Sequence, residues 1–267
     1  MESSTQTVFL GSLKLHVAIR GAGPPLLFVH GFPLDHTSWQ PQLEAFSTQA
    51  RVIVPDLRGF GRSDVTPGKV TMERFADDLA ELLDALQVEE PVTLCGLSMG
   101  GYIAWQFWLR HRSRLGRLIL CDTRSAADSP EAAVGRRQNA DRVLQHGVRP
   151  LAEAMLTKLF APATAAQHPE LVSQIQQVMC ASPVEGVAAA LRGMAERPDM
   201  TSRLPEIDLP ALIICGALDG ISPPVEMREM ADTMPHATYV EIPHAGHLAP
   251  LENPAAVNAA MRAWLHT

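Results

Sequence analysis

A serine set among glycines, two candidate carboxylates and two closely spaced histidines are the side chains of this sequence that could do chemistry together. Ser98 stands in Gly96-Leu97-Ser98-Met99-Gly100-Gly101. The run before it, Val92-Thr93-Leu94-Cys95, is short, apolar and β-prone, and the run after it, Tyr102 to Leu109, reads as an apolar helix. Glycines on both sides let a strand and a helix pack closely around a sharp turn, which holds the serine in strained backbone and points its hydroxyl outward. A helix starting there brings free N–H groups and the positive end of its dipole to any anion formed at the hydroxyl. A serine hydroxyl is a weak nucleophile, so it needs a base in reach and a carboxylate to orient that base. Downstream, Asp219 follows the apolar run Ala211 to Cys215, and His244 and His247 follow the run Thr238 to Ile242. Asp122, after Arg117 to Cys121, is a second candidate acid. All stand at carboxyl ends of expected strands, where open α/β sheets gather their sites.

The elements that must position these residues are legible as repeated strand-then-helix units. A hairpin is expected from Thr7 to Ile19 around Gly11-Ser12, then buried strands at Pro25 to Val29 and Val52 to Pro55, with a helix from about His36 to Phe46 between them. Thr71 to Leu86 carries Phe75, Leu79, Leu82, Leu83 and Leu86 on one stripe of an amphipathic helix. From about Ser125 to Leu204 no β-rich run occurs. Helical stretches near 130–146, 150–160, 169–180 and 183–196 begin at or near prolines. Alternation resumes with strands at Ala211 and Thr238 and helices from Pro224 and Pro254. The expected fold class is α/β, a mostly parallel sheet flanked by helices. Its core is built from residues 1–124 and 205–267, with an inserted helical cap at 125–204.

Composition narrows the function classes. The chain has 267 residues, is 46% hydrophobic and 19% charged, and carries a formal net charge of −7. That charge disfavours nucleic acid and anionic membrane as partners. Residues 92–109 hold no charged side chain, but glycines and a serine interrupt them, so a membrane span is not expected. Met1 to Gln6 lacks a basic region and an apolar run. Cys95, Cys121 and Cys215 each end a strand-like run, as buried free thiols would in a reducing compartment, and a cytoplasmic location is the expectation. Gly59-x-Gly61 begins a dinucleotide-like motif, but position 64 is Asp and no helix follows directly. His244 and His247 have no further ligands with metal spacing. Neither a metal nor an organic cofactor is expected.

Five motifs in order carry a resemblance to the α/β-hydrolases over essentially the whole chain. They are His30-Gly31-Phe32-Pro33, Asp56-Leu57-Arg58-Gly59 through Ser63, Gly96 to Gly101, Gly216-x-x-Asp219, and Gly246-His247 with Glu252-Asn253-Pro254. The sequence is most similar to the cofactor-free esterase branch that includes 3-oxoadipate enol-lactonases and non-haem haloperoxidases or perhydrolases. The resemblance implies Ser98 as nucleophile, Asp219 as acid in preference to Asp122, His247 as base in preference to His244, and the backbone N–H groups of Phe32 and Met99 as oxyanion donors. It implies His30 as a structural residue of the oxyanion loop. Dehalogenases and epoxide hydrolases attack with a carboxylate, and position 98 is serine.

The function expected is a serine hydrolase of small carboxylic esters or lactones working through an acyl-enzyme. Enol-lactonase activity is one alternative, and a ligand-binding signalling relative with little turnover is another. Pro33 and Trp39 resemble the perhydrolase pattern and suggest secondary peracid formation, with Trp39 as a substrate contact. Arg124, just past the Cys121 strand, is a candidate for holding a substrate carboxylate or else a solvated or bridging arginine.

Overall fold

The computed structural model describes residues 4–266. Eight strands form one sheet in the order β1-β2-β4-β3-β5-β6-β7-β8. They are β1 Ser4–Leu10, β2 Leu13–Arg20, β3 Pro25–Val29, β4 Arg51–Pro55, β5 Val92–Leu97, β6 Leu115–Cys121, β7 Ala211–Gly216 and β8 Ala237–Ile242. β2 pairs antiparallel with both β1 and β4, and the remaining pairs are parallel. β3 and β7 are buried along their whole length, as strands covered on both faces must be.

Helices α1 Gln40–Phe46, α2 Met72–Ala85 and α3 Met99–Arg110 precede the insertion. The insertion holds α4 Pro130–His146, α5 Arg149–Leu159, α6 Pro162–Gln167, α7 Pro169–Ala181 and α8 Val184–Met194. After β7 come α9 Pro224–Thr233, α10 Ala249–Glu252 and α11 Pro254–Leu265. Successive strand residues feed opposite faces of the sheet: Leu118 and Leu120 join the apolar layer of α2, α3 and α9, while Ile119 and Cys121 join that of α1 and α11.

The stretch expected to be helical and inserted contains five helices where periodicity marks four. The extra one, α6, reads Pro-Ala-Thr-Ala-Ala-Gln and has no apolar stripe to signal it. Two close approaches bring α8 against the segments around Gly59 and Val70. A side-chain carbon at Gly186 in α8 would overlap Gly59 O, and one at Gly193 would overlap Val70 O. The uncharged run at 92–109 divides into β5 and α3, and among the described residues no helix is long and apolar enough to cross a membrane. Cys95, Cys121 and Cys215 are buried free thiols.

Register brings the strand ends together. Val29 lies beside Gly96, Leu97 beside Cys121, Cys121 beside Ile214, and Gly216 beside Ile242. The loops after β3, β5, β6, β7 and β8 therefore open on one edge of the sheet.

Candidate active site

Ser98 is the hinge between β5 and α3, with φ 51° and ψ −110°. That conformation is costly for a residue with a side chain and persists only where the surroundings enforce it. Here they do. Ser98 N donates to Cys121 O at 2.9 Å, Thr123 Oγ1 donates to Ser98 O at 2.7 Å, and Gly101 N donates to the same carbonyl at 2.9 Å. A side-chain carbon at Gly96 would overlap Gly100 O, and one at Gly100 would overlap Val29 O, so the turn can close only with glycines there.

His247 and Asp219 converge on this serine. His247 Nε2 lies 2.9 Å from Ser98 Oγ, and His247 Nδ1 lies 2.9 Å from Asp219 Oδ2. Asp219 Oδ1 accepts from Ile221 N at 2.7 Å and Ser222 N at 3.0 Å. With Asp219 Oδ2 accepting from Nδ1–H, the other ring nitrogen is left to accept from the hydroxyl. Asp219 and His247 are each 3% exposed, so the pair is shielded from bulk water. The rival acid Asp122 meets no histidine. Its carboxyl accepts from Gly216 N at 2.7 Å and Ala249 N at 3.3 Å. The rival His244 is exposed, with φ 61°.

The loop after β3 runs alongside. A side-chain carbon at Gly31 would lie 3.5 Å from Ser98 Cβ, so the chain entering Phe32 passes directly beside Ser98. The Phe32–Pro33 peptide is cis. Met99 is the first residue of α3, where a helix has no internal acceptor for its N–H, and neither Met99 N nor Phe32 N has an acceptor among the described residues. His30, fully buried, shapes this loop: Nδ1 donates to Gly31 O at 2.8 Å and Nε2 accepts from Leu57 N at 3.0 Å. Burial lowers its pKa, which keeps it in the neutral form that this pair of bonds requires. Asp56 ties the end of the loop. Its Oδ1 accepts from His36 N at 2.8 Å and His36 Nδ1 at 2.7 Å, and its Oδ2 from Arg62 N at 2.9 Å.

Glu252 does work that its place in a sequence motif does not disclose. Oε1 accepts from Gly246 N at 2.8 Å and Leu248 N at 3.3 Å, and Oε2 accepts from Ala161 N at 2.8 Å. His247 N itself donates to Leu159 O at 3.0 Å. The histidine loop is thus fastened to the inserted helices. The only trace in the sequence is a carboxylate six residues after Gly246.

The two expected substrate contacts lie elsewhere. Trp39 has no exposed surface and packs on Phe28 with ring centroids 4.7 Å apart, so its place is in the core and it offers no face to a ligand. Proximity to Pro33 in sequence does not carry its ring to the site, because the turn at His36–Trp39 folds it under the sheet. Arg124 lines a cleft of about 510 Å³ with Ser125, Glu226 and Glu229. Its Nη2 donates to Glu226 Oε1 at 3.0 Å and its Nε lies 3.0 Å from Oε2, so a substrate carboxylate would have to displace a glutamate already in place.

Comparison with known proteins agrees with this architecture. The α/β-hydrolase-fold family matches residues 24–254. 3-Oxoadipate enol-lactonase 2 of Acinetobacter baylyi is 29% identical over 240 residues, covering 90% of this chain and 88% of that one. A thermophilic esterase from Thermogutta terrifontis, solved with malate bound, superposes with a TM-score of 0.94 at 48% identity, covering 100% of this chain and 98% of that one. The enol-lactonase from Burkholderia xenovorans LB400 superposes at 0.90 with 30% identity, covering 99% and 100%. By family match, strand order and serine turn together, this chain belongs to the α/β-hydrolase-fold family, among its esterase- and lactonase-like hydrolases.

Proposed function

We propose that the protein hydrolyses small carboxylic esters or lactones through an acyl-enzyme formed on Ser98. The observation that carries this reading is the unbroken chain from Ser98 Oγ through His247 to Asp219, with 2.9 Å at each junction. As Ser98 Oγ attacks the carbonyl, His247 Nε2 takes its proton, and Asp219 holds the imidazole in place and stabilises its charge. The oxyanion forms beside the amino end of α3, where the Met99 and Phe32 N–H groups receive it. Collapse expels the alkoxide, which takes the proton from His247; in a lactone it stays attached to the acyl chain. Water then gives its proton to His247 and attacks the acyl carbon, and Ser98 recovers its hydrogen as the acid leaves. The inserted helices act as the cap over this edge. Hydrogen peroxide in place of water would yield a peracid by the same route.

Enol-lactonases stand among both the relatives and the solved structures, and they support a narrower second reading, a lactone that bears a carboxylate. Turnover of a dicarboxylate lactone compared with a neutral aryl ester separates the two. The test of the main reading is an ester panel graded by acyl length, run with wild type and Ser98→Ala. The variant is expected to lose on the order of 10⁴–10⁶ in kcat with an unchanged melting temperature. Turnover retained by Ser98→Ala would remove the proposal.

A further inference from the structure

Residues 121–123, at the carboxyl end of β6, touch every loop that carries a member of the Ser98–His247–Asp219 chain. Cys121 O accepts from Ser98 N at 2.9 Å and Thr123 Oγ1 donates to Ser98 O at 2.7 Å. Between them stands Asp122, fully buried, with φ 48°. Its backbone faces the acid side of the site: Asp122 N donates to Ile214 O at 2.9 Å, and Asp122 O accepts from Ser222 Oγ at 3.3 Å. Its carboxyl spans two loops. Oδ1 accepts from Gly216 N at 2.7 Å, three residues before Asp219, and Oδ2 from Ala249 N at 3.3 Å, two residues after His247.

We propose that Asp122 is a positioning residue of the site, a buried carboxyl that ties the Asp219 loop to the His247 loop and so holds the imidazole between Asp219 and Ser98. The inference rests on the ester-hydrolase reading above. A companion inference concerns charge. Carboxylate oxygens of Asp122 and Asp219 lie within 4.8 Å of each other and of Cys215 Sγ, and both acids are buried, so two charges there would repel in a medium that screens them poorly. The titratable groups facing Asp122 are Asp219, Cys121 on its own strand and Cys215 on β7; Cys95 stands behind Cys121 at 3.9 Å, the His247 ring lies beyond Asp219, hydrogen-bonded to its Oδ2, and Glu252 on α10 is turned to Gly246 and Ala161. No lysine or arginine is among them. Asp219 has three N–H donors, His247 among them, and Asp122 has two. Asp122, with fewer donors, is therefore the member of the pair that keeps its proton and serves as the neutral acid. Burial first, and the charge of Asp219 second, push the Asp122 carboxyl well above the ordinary range.

Asp122→Asn and Asp122→Ala separate these roles. In Asp122→Ala both ties are lost, and kcat is expected to fall about 10²-fold with KM within about twofold, since the displaced group is the imidazole and not the substrate pocket. Asp122→Asn keeps a carbonyl for Gly216 N and adds no charge, so it should recover to within about tenfold of wild type. The acid limb of its kcat/KM profile should not move, because no charge has been removed from beside Asp219. A limb displaced to lower pH in Asp122→Asn would show that Asp122 was charged, and would overturn the neutral assignment. Wild-type kcat in a folded Asp122→Ala, or a rise confined to KM, would overturn the positioning role; Asp122→Ser, too short to reach either loop, takes its place should the alanine variant not fold. Labelling of Ser98 by a fluorophosphonate reads the imidazole without any ester. Its rate should fall about 10²-fold in Asp122→Ala, whereas a wild type that hydrolyses no ester would instead remove the functional reading itself.

Discussion

The two sides of the Ser98–His247 hydrogen bond are held by different physics. On the Ser98 side the work is done by backbone and by the absence of side chains: β5 feeds a strained turn whose amide is fixed to Cys121 O, and Gly96 and Gly100 stand where any side-chain carbon would overlap a main-chain atom. On the His247 side the loops are longer and are fastened by carboxyl groups. Asp219 gathers Ile221 N and Ser222 N, Glu252 gathers Gly246 N, Leu248 N and Ala161 N, and Asp122 spans Gly216 N and Ala249 N. One side fails when volume is added. The other fails when acceptors are taken away.

The largest effect expected from this contrast is on the side without slack. In Gly100→Ala the new carbon meets Val29 O, a main-chain atom in a central strand that cannot rotate aside. Overpacking of this kind costs about 3 kcal/mol or more, and for a chain of this size that lowers the melting temperature by roughly 6–12 °C. An unchanged melting temperature in a calorimetric scan would show that the turn has room to yield and would erase the contrast. Glu252→Gln tests the opposite side. Three N–H donors meet a charged acceptor, and an amide offers one carbonyl oxygen to the two directions from which they come. Losing such bonds costs about 1.5–3 kcal/mol, and because Gly246 and Leu248 flank His247, kcat should fall by roughly tenfold as well. Stability lost with kcat intact would mean that Glu252 fastens the inserted helices without setting the imidazole.

The same contrast explains what the sequence discloses. Features with a local cause are legible: the glycines around Ser98, the apolar strands, the stripe of α2 and the prolines that open α4 and α7 each follow from their own neighbours. Placement of Asp219 and His247 at strand ends is legible for the same reason, since the register of a parallel sheet brings those ends to one edge. Bonds between residues about a hundred positions apart are not. Nothing local says that Glu252 reaches Ala161, or that Asp122, plausible as the acid from sequence, binds two backbone amides while Asp219 takes the histidine. Trp39 fails differently: resemblance carries a residue to a position in the chain, while the turn at 36–39 decides which way its ring faces. α6 is hidden because alanine and threonine make a helix without a stripe.

The smallest effect concerns the loop that departs from its own side. The 31–36 segment passes beside Ser98, yet its far end is fastened by a charge, the pairing of His36 with Asp56. Burial works against the His36 charge, but the hydrogen bond and attraction of Asp56 outweigh it and leave the histidine pKa raised. Burial likewise opposes the Asp56 charge, and His36 and the neighbouring amides leave that carboxyl depressed. A raised histidine stabilises fully below its unfolded value, near 6.5, and loses that contribution as pH climbs through the folded value. A depressed aspartate stabilises above its unfolded value, near 3.9, and loses its share as pH falls through the folded one. The tie is therefore complete between about pH 4 and 6.5 and loosens on the alkaline side. His36→Asn keeps a donor for Asp56 but cannot titrate. The gap in melting temperature between wild type and this variant should be a few degrees near pH 6, about 1 kcal/mol, and should close as pH rises above the folded value. A gap that stays constant from pH 5.5 to about 9 would mean that the bond is not ionic, and the Ser98 side would then be held by packing throughout.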